Sequence, residues 1–238
     1  MKFVVLAHTD VSQSAVYRGM PQFPGRLVEF LGDQAPLSLW TTGSSELVCV
    51  VDSGQSRSVA LAASVESPAL VADATCDLVQ ELAQAGAVFI GGFHSPVERL
   101  CLDQLVAAGC PAIVCLGRTL TGLRIPHGWL RPLREGKLVL VSACGPSHKR
   151  ATRDSVRVRN DCVVALADSF VIPHATVGGK TEALCREALK AGKAVWTLNH
   201  PGSRNLVALG AKLATAGSVA EILNSGRKSL AASSQPGD

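Results

Sequence analysis

The segment VRVRNDCVVALADSFVIPHA, residues 156–175, sets Arg157, Arg159 and Asn160 at the head of an apolar run that stops at a histidine. Residues of these types at the start of a helix suit phosphate capture. A guanidinium is planar and always charged, so it can hold a phosphate through two parallel hydrogen bonds where a lysine offers a point charge. The competing reading is a solvated helical turn, the usual fate of charged side chains. His148, Lys149, Arg150 and Arg153 precede Arg159 and make this the densest basic stretch of the chain. A second stretch, VGGKTEAL (177–184), brings together Gly178, Gly179, Lys180, Thr181 and Glu182. Glycines ahead of a helix N-terminus can cradle a phosphate, and a carboxylate beside them could stabilise an oxocarbenium-like sugar or orient water. Glu182 also has a plain role as a first-turn acid favoured by the helix dipole, and that role is preferred. The histidines at 94, 127, 148, 174 and 200 show neither H-x-x-x-H nor H-E-x-x-H spacing, so no metal site is expected. His174 and His200 follow strands and could touch a ligand.

These groups need a scaffold. Short apolar runs at 47–51, 87–92, 112–116, 138–142, 170–173 and 194–198 read as strands buried on both faces. Helical patterns near 74–85, 96–108, 128–135, 156–167 and 180–191 separate them, while 56–65 fits helix and strand equally. Ser95, Pro96 and Glu98 form a helix-start signature. Strand–helix alternation predicts an α/β fold, a doubly wound, mostly parallel sheet of extended Rossmann-like type. Such sheets bind ligands beyond the carboxyl ends of their strands, where glycine, small hydroxyl and basic residues recur in this chain. The residues expected there are Ser53, Gly54, Arg57, Gly92, Ser95, Gly117, Arg118, Lys149, Arg159, Asn160, Gly178, Gly179, Lys180 and Thr181. Neither G-x-G-x-x-G nor G-x-x-x-x-G-K-[ST] is present, which argues against a dinucleotide fingerprint or a P-loop.

Composition sets outer limits. The 238 residues are 47% hydrophobic, yet no apolar burst reaches the length of a membrane span, and the start MKFVVLAHTD is too short for a secretory signal. A cytoplasmic protein is expected, with no membrane partner. The 8 cysteines include no C-x-x-C pair, so zinc and a disulfide framework are not indicated. A formal charge of +4 suits an anionic ligand without resembling a nucleic-acid-coating tail.

Several pieces in order resemble the DNA-processing protein A (DprA, also called Smf) family over residues 36–212: PLSLWTTG, VVDSGQS, GGFHSPVERLCLDQLVAAGCPAIVCLGRTL, RVRNDCVVALAD and NLVALGAK. The second stands where the family has a VGSR-like loop, the third resembles its SGLA-x-GID helix and following strand, and the fourth resembles its RNR helix. The resemblance implies single-stranded DNA binding and delivery of that DNA to a RecA recombinase during uptake or recombination. Arg159 and Asn160 match the Arg–Asn of RNR, with Asp161 at the second arginine, and Arg57 would replace the arginine of the VGSR loop. VGGKTEAL is also similar, more distantly, to the P-G-G-x-G-T-x-x-E motif of the lysine decarboxylase-like LOG phosphoribohydrolases. That similarity would make Glu182 catalytic on nucleoside 5′-monophosphates. A non-catalytic nucleotide-sensing domain is the third reading. The expected layout is a short N-terminal extension or subdomain (1–45), a Rossmann-like core (46–224) and a disordered tail (225–238). The chain is expected to need no cofactor and to bind DNA or a nucleotide, and a homodimer is left open.

Overall fold

The computed structural model describes residues 2–215 and 217–228. The chain begins with β1 (Phe3–Val5), β2 (Gln13–Tyr17), α1 (Gly25–Leu31), β3 (Ser38–Thr42), α2 (Glu46–Asp52) and β4 (Ser58–Leu61). Next come α3 (Ala69–Gln84), β5 (Val88–Gly91), α4 (Pro96–Ala107), β6 (Ala112–Leu116), β7 (Arg124–Pro126), α5 (Leu130–Arg134) and β8 (Leu138–Ser142). The last part contains α6 (Arg153–Leu166), β9 (Ser169–Val171), α7 (Lys180–Lys190), β10 (Ala194–Leu198), α8 (Arg204–Leu209), β11 (Lys212–Ala214) and α9 (Val219–Asn224).

A nine-stranded sheet runs β11-β10-β9-β4-β5-β6-β8-β3-β2. From β11 to β8 every neighbouring pair is parallel, and β3 and β2 continue the sheet antiparallel. A small antiparallel ribbon, β1 with β7, stands apart. Strands β4, β5, β8 and β9 are buried at every position, as parallel strands covered on both faces must be. One face packs Phe89, Val79, Leu82, Leu102 and Leu105 beneath α3 and α4, and the other packs Phe170, Ile90, Ile113, Val163 and Cys185 beneath α6 and α7. Full burial of side chains this size stabilises by about 1.5–3 kcal/mol each before ordering costs. All eight cysteines are free, six of them buried.

The expected α/β sheet is present, with one exchange near its start. LVCVV (47–51) is not a strand. It lies in α2, where Val48 and Val51 face the core and Cys49 faces solvent, an i, i+3 pattern. The ambiguous stretch 56–65 supplies β4, the first parallel strand in sequence and the middle one of the seven parallel strands. A five-residue apolar run fits a buried strand and one helical turn and a half alike, so neighbours decided it. The N-terminal segment expected as an extension gives β2 and β3 to the main sheet. Of the tail expected from Ser225, Ser225–Lys228 form a 3₁₀ turn, and 229–238 lies outside the described residues.

Helix starts follow local chemistry. Ser95 Oγ accepts the Glu98 N–H at 3.2 Å, with Pro96 in the first turn of α4. Thr152 and Ser155 cap α6 reciprocally, and Ser155 Oγ also donates to Gly117 O at 2.7 Å. That last bond fixes the first turn of α6 against the loop after β6. No described helix is long and apolar enough to cross a membrane.

Candidate functional site

Strand β4 lies between β5, which follows it in sequence, and β9, which begins the other half of the sheet. This reversal of strand order opens a crevice at the carboxyl ends of β4 and β9. Its loops are tied to one another. Ser64 N donates to His174 O at 3.1 Å and Thr176 N donates to Ser64 Oγ at 2.9 Å, joining the loops after β4 and β9. On the other side Glu98, 6% exposed, accepts Ala63 N at 2.7 Å and His94 N at 2.6 Å, joining the loops after β4 and β5. Burial raises the Glu98 carboxyl and these donors oppose the rise.

Arg159 reaches this edge from the second turn of α6. A Cβ at position 92 would sit 1.5 Å from Arg159 Nη1 and 2.9 Å from His94 Cδ2, so the guanidinium occupies the space that the missing side chain of Gly92 leaves. Arg159 Nε is buried without a hydrogen-bond partner. Burial pulls the guanidinium below its ordinary value, with the Glu98 carboxylate opposing. Gly92 is thus required for close approach, and the neighbouring Phe93 adopts φ +49°, a left-handed conformation uncommon for a bulky residue. A half-enclosed cation held this way loses part of its hydration, which an anion at the edge would offset. Arg157, by contrast, is exposed and pairs with Asp161 Oδ2 at 3.6 Å one turn on, the ordinary solvated arrangement.

The sequence profile of the family described as DNA recombination-mediator protein A matches residues 14–231. The chain belongs to that family. Its fold is similar to two solved members. Against DNA processing protein A from Streptococcus pneumoniae the TM-score is 0.73 at 19% identity, covering 88% of this chain and 74% of that one. Against DNA processing protein A from Helicobacter pylori the TM-score is 0.72 at 20% identity, covering 90% and 95%. No curated protein sequence matches the chain.

Most of the expected residues of this recombination-mediator fold gather at the carboxyl edge. Gly92 and Arg159 touch, half-buried Asn160 follows Arg159, and Gly117 packs against the backbone of Ser155. Arg118 and Lys149 are exposed on loops after β6 and β8, joined where Thr119 N donates to His148 O at 2.8 Å. Gly178, at φ +71°, turns the chain into α7, and Gly179, Lys180 and Thr181 present its N-terminus to the same edge. Ser95 belongs to the edge only as a buried cap.

Three expectations fail together. Ser53, Gly54 and Arg57 precede β4 and stand at its amino end, across the sheet from the crevice, because the strand they were thought to follow is α2. The loop after β4 is Ala62-Ala63-Ser64-Val65, which carries no arginine. Asp52 instead accepts Gly25 N and Arg26 N, each at 2.9 Å, and caps α1. Glu182 is fully engaged: it accepts Gly178 N at 3.2 Å and Asn205 Nδ2 at 2.6 Å and pairs with Arg186. Asn205 first, and then Gly178 and Arg186, hold its carboxyl below the usual range, with burial opposing. Such a carboxylate holds the loop to α7 and α8. The sequence reading missed Ser64 and the closeness of His94 to Arg159.

Two cavities, of about 600 Å³ beside Val4, Thr9 and Arg134 and about 350 Å³ between α3 and α4, lie away from this edge.

Proposed function

We propose that the chain binds single-stranded DNA by its phosphate backbone along the carboxyl edge of the sheet, in the service of recombination. The observation that supports it best is Arg159, a half-buried cation with an unpartnered Nε, its guanidinium pressed onto Gly92 at this edge. DNA processing protein A from Helicobacter pylori is described as binding single-stranded DNA in a mode of its own, and the shared fold and family carry that ligand class to this chain as a proposal. The other cations, Arg118, Lys149 and Lys180, are exposed along the same edge and would add charge without fixing sequence. Stacking contributes little in this reading. Phe93 is 4% exposed and Trp196 is 2% exposed, so neither offers a free ring face to a base. A recombinase that receives the strand, a second copy of the chain and a cytoplasmic setting complete the proposal.

The phosphoribohydrolase reading loses ground on one observation, the three donors that already engage both oxygens of Glu182 and tie it to Gly178, Asn205 and Arg186. A parallel test separates the two. The purified protein is expected to bind labelled oligothymidylate at low salt and to release no free base from a panel of nucleoside 5′-monophosphates. Base release that vanishes in Glu182→Ala while nucleotide binding survives would reverse the ranking, since loss of chemistry without loss of binding marks a transition-state role.

A further inference from the structure

His94 sits on the loop between β5 and α4, and its place beside Arg159 has a consequence for binding. Its Cδ2 and the Arg159 guanidinium both lie against Gly92, so the imidazole and the guanidinium are close neighbours at the mouth of the crevice. Arg159 is half-buried, whereas His94 is exposed as a residue with its ring partly enclosed beside the guanidinium. The backbone under it is fixed, because His94 N donates to buried Glu98 at 2.6 Å and Phe93 before it is held at positive φ. We propose that His94 is a proton-dependent phosphate ligand, neutral while the crevice is empty and charged once an anionic group docks between it and Arg159. The proposal rests on the DNA-binding reading above and adds to it that binding takes up as much as one proton from solvent as the pH falls.

The charge balance around the ring gives the reason. The charged groups near it are Arg159 from α6, Arg99 and Glu98 from α4 and Arg118 from the loop after β6. Three are cations, and the carboxylate among them is spent on backbone N–H groups. Partial burial first, and then Arg159, Arg99 and Arg118, hold the imidazole down to about 4, so it is neutral at physiological pH. A phosphodiester placed there neutralises the cations that oppose protonation and gives the imidazolium an acceptor. Both effects favour the charged ring. The nearby Cys115 thiol, pushed up to about 12 by burial, stays protonated throughout.

The sign follows from linkage. If the bound form of His94 titrates above the free form, affinity rises as pH falls between the two values, by at most about tenfold per pH unit for one proton. The test uses oligothymidylate, because neither thymine nor a phosphodiester titrates between about pH 5 and 8, which leaves the protein as the source of any pH dependence in that window. Wild type and His94→Gln would be compared by fluorescence anisotropy across the window at constant ionic strength, with proton uptake read by calorimetry in buffers of different ionisation enthalpy. The expected result is that wild type gains on the order of tenfold in affinity from about pH 7 to pH 5 beyond any gain in the variant, and that the variant lacks the accompanying proton uptake, which averages about half a proton over those two pH units. His127, His148, His174, His200 and Glu98 are present in both proteins, so their contribution cancels. Equal pH dependence and equal proton uptake in the two proteins overturn the role of His94 and leave DNA binding standing. No binding by wild type at low salt overturns both. The Glu98 contact uses the His94 backbone, so the substitution leaves it in place.

Discussion

Asp168→Ala is expected to lower the melting temperature by roughly 10 °C, from a loss of about 3–5 kcal/mol. Asp168 stands just before β9 at the amino edge, opposite the crevice. Its carboxylate pairs with Arg26 Nη1 at 2.9 Å, with side-chain exposures of only 11% and 6%, and accepts Ser58 N at 2.9 Å and Ser58 Oγ at 3.0 Å. Arg26 also donates to Asp52 O and Leu166 O, so this one network joins α1, α2, β4 and the end of α6. Lys193 adds a second enclosed cation nearby, bonded to Ala167 O at 2.7 Å and pulled down by burial first and by Arg26 next. Removing the carboxylate leaves two cations facing each other without an anion at that point and a buried Ser58 N–H without its acceptor. Truncating one partner of a buried pair is destabilising for that reason, even where the pair itself adds little net stability. A thermal melt checks it. A shift below about 3 °C would mean that the network is hydrated and that the amino edge is not held by charge.

Gly92→Ala should leave the melt nearly unchanged and remove most single-strand binding. The added methyl group would meet Arg159 Nη1 at 1.5 Å and His94 Cδ2 at 2.9 Å, both on side chains that can move, while Gly92 is not among the glycines with positive φ. The guanidinium tip must therefore leave its place, and the fold need not. If phosphate capture depends on that place, affinity falls by roughly tenfold to a hundredfold, the worth of a charge-assisted hydrogen bond in a partly enclosed site. Unchanged affinity would show that Arg159 binds from several positions or does not bind at all. A melt that falls by more than about 5 °C would instead make Gly92 a packing residue first.

The strands at 112–116, 138–142 and 194–198 were legible because burial on both faces writes itself as an unbroken apolar run. β4 was hidden by the same rule: Ser58-Val59-Ala60-Leu61 is short and begins with a serine whose hydroxyl is spent on Leu166 O and Asp168. LVCVV looked more like a strand and is a helix. One exchange carried Ser53, Gly54 and Arg57 to the wrong edge and concealed Ser64. Arg159 was legible by residue type and by its place at the head of an apolar helix. What singles it out from Arg157 was not legible, because it depends on α6 lying against the loop at 91–95, and two residues along a helix turn a side chain by more than half a circle. The ties of Glu182 to Asn205, 23 residues away, are equally a product of packing.

The most direct test of phosphate capture by this half-buried arginine is the salt dependence of oligothymidylate binding in wild type and Arg159→Ala. Neutralising a phosphate releases counterions, so each such contact contributes about 0.7 to the slope of log affinity against log salt for a single strand. Arg159→Ala is expected to reduce the slope by about that amount, to weaken binding by roughly tenfold to a hundredfold whatever the base sequence, and to keep the melt of the parent. An identical slope and affinity in the variant would contradict the account, returning Arg159 to the scaffold and leaving the crevice without its central ligand.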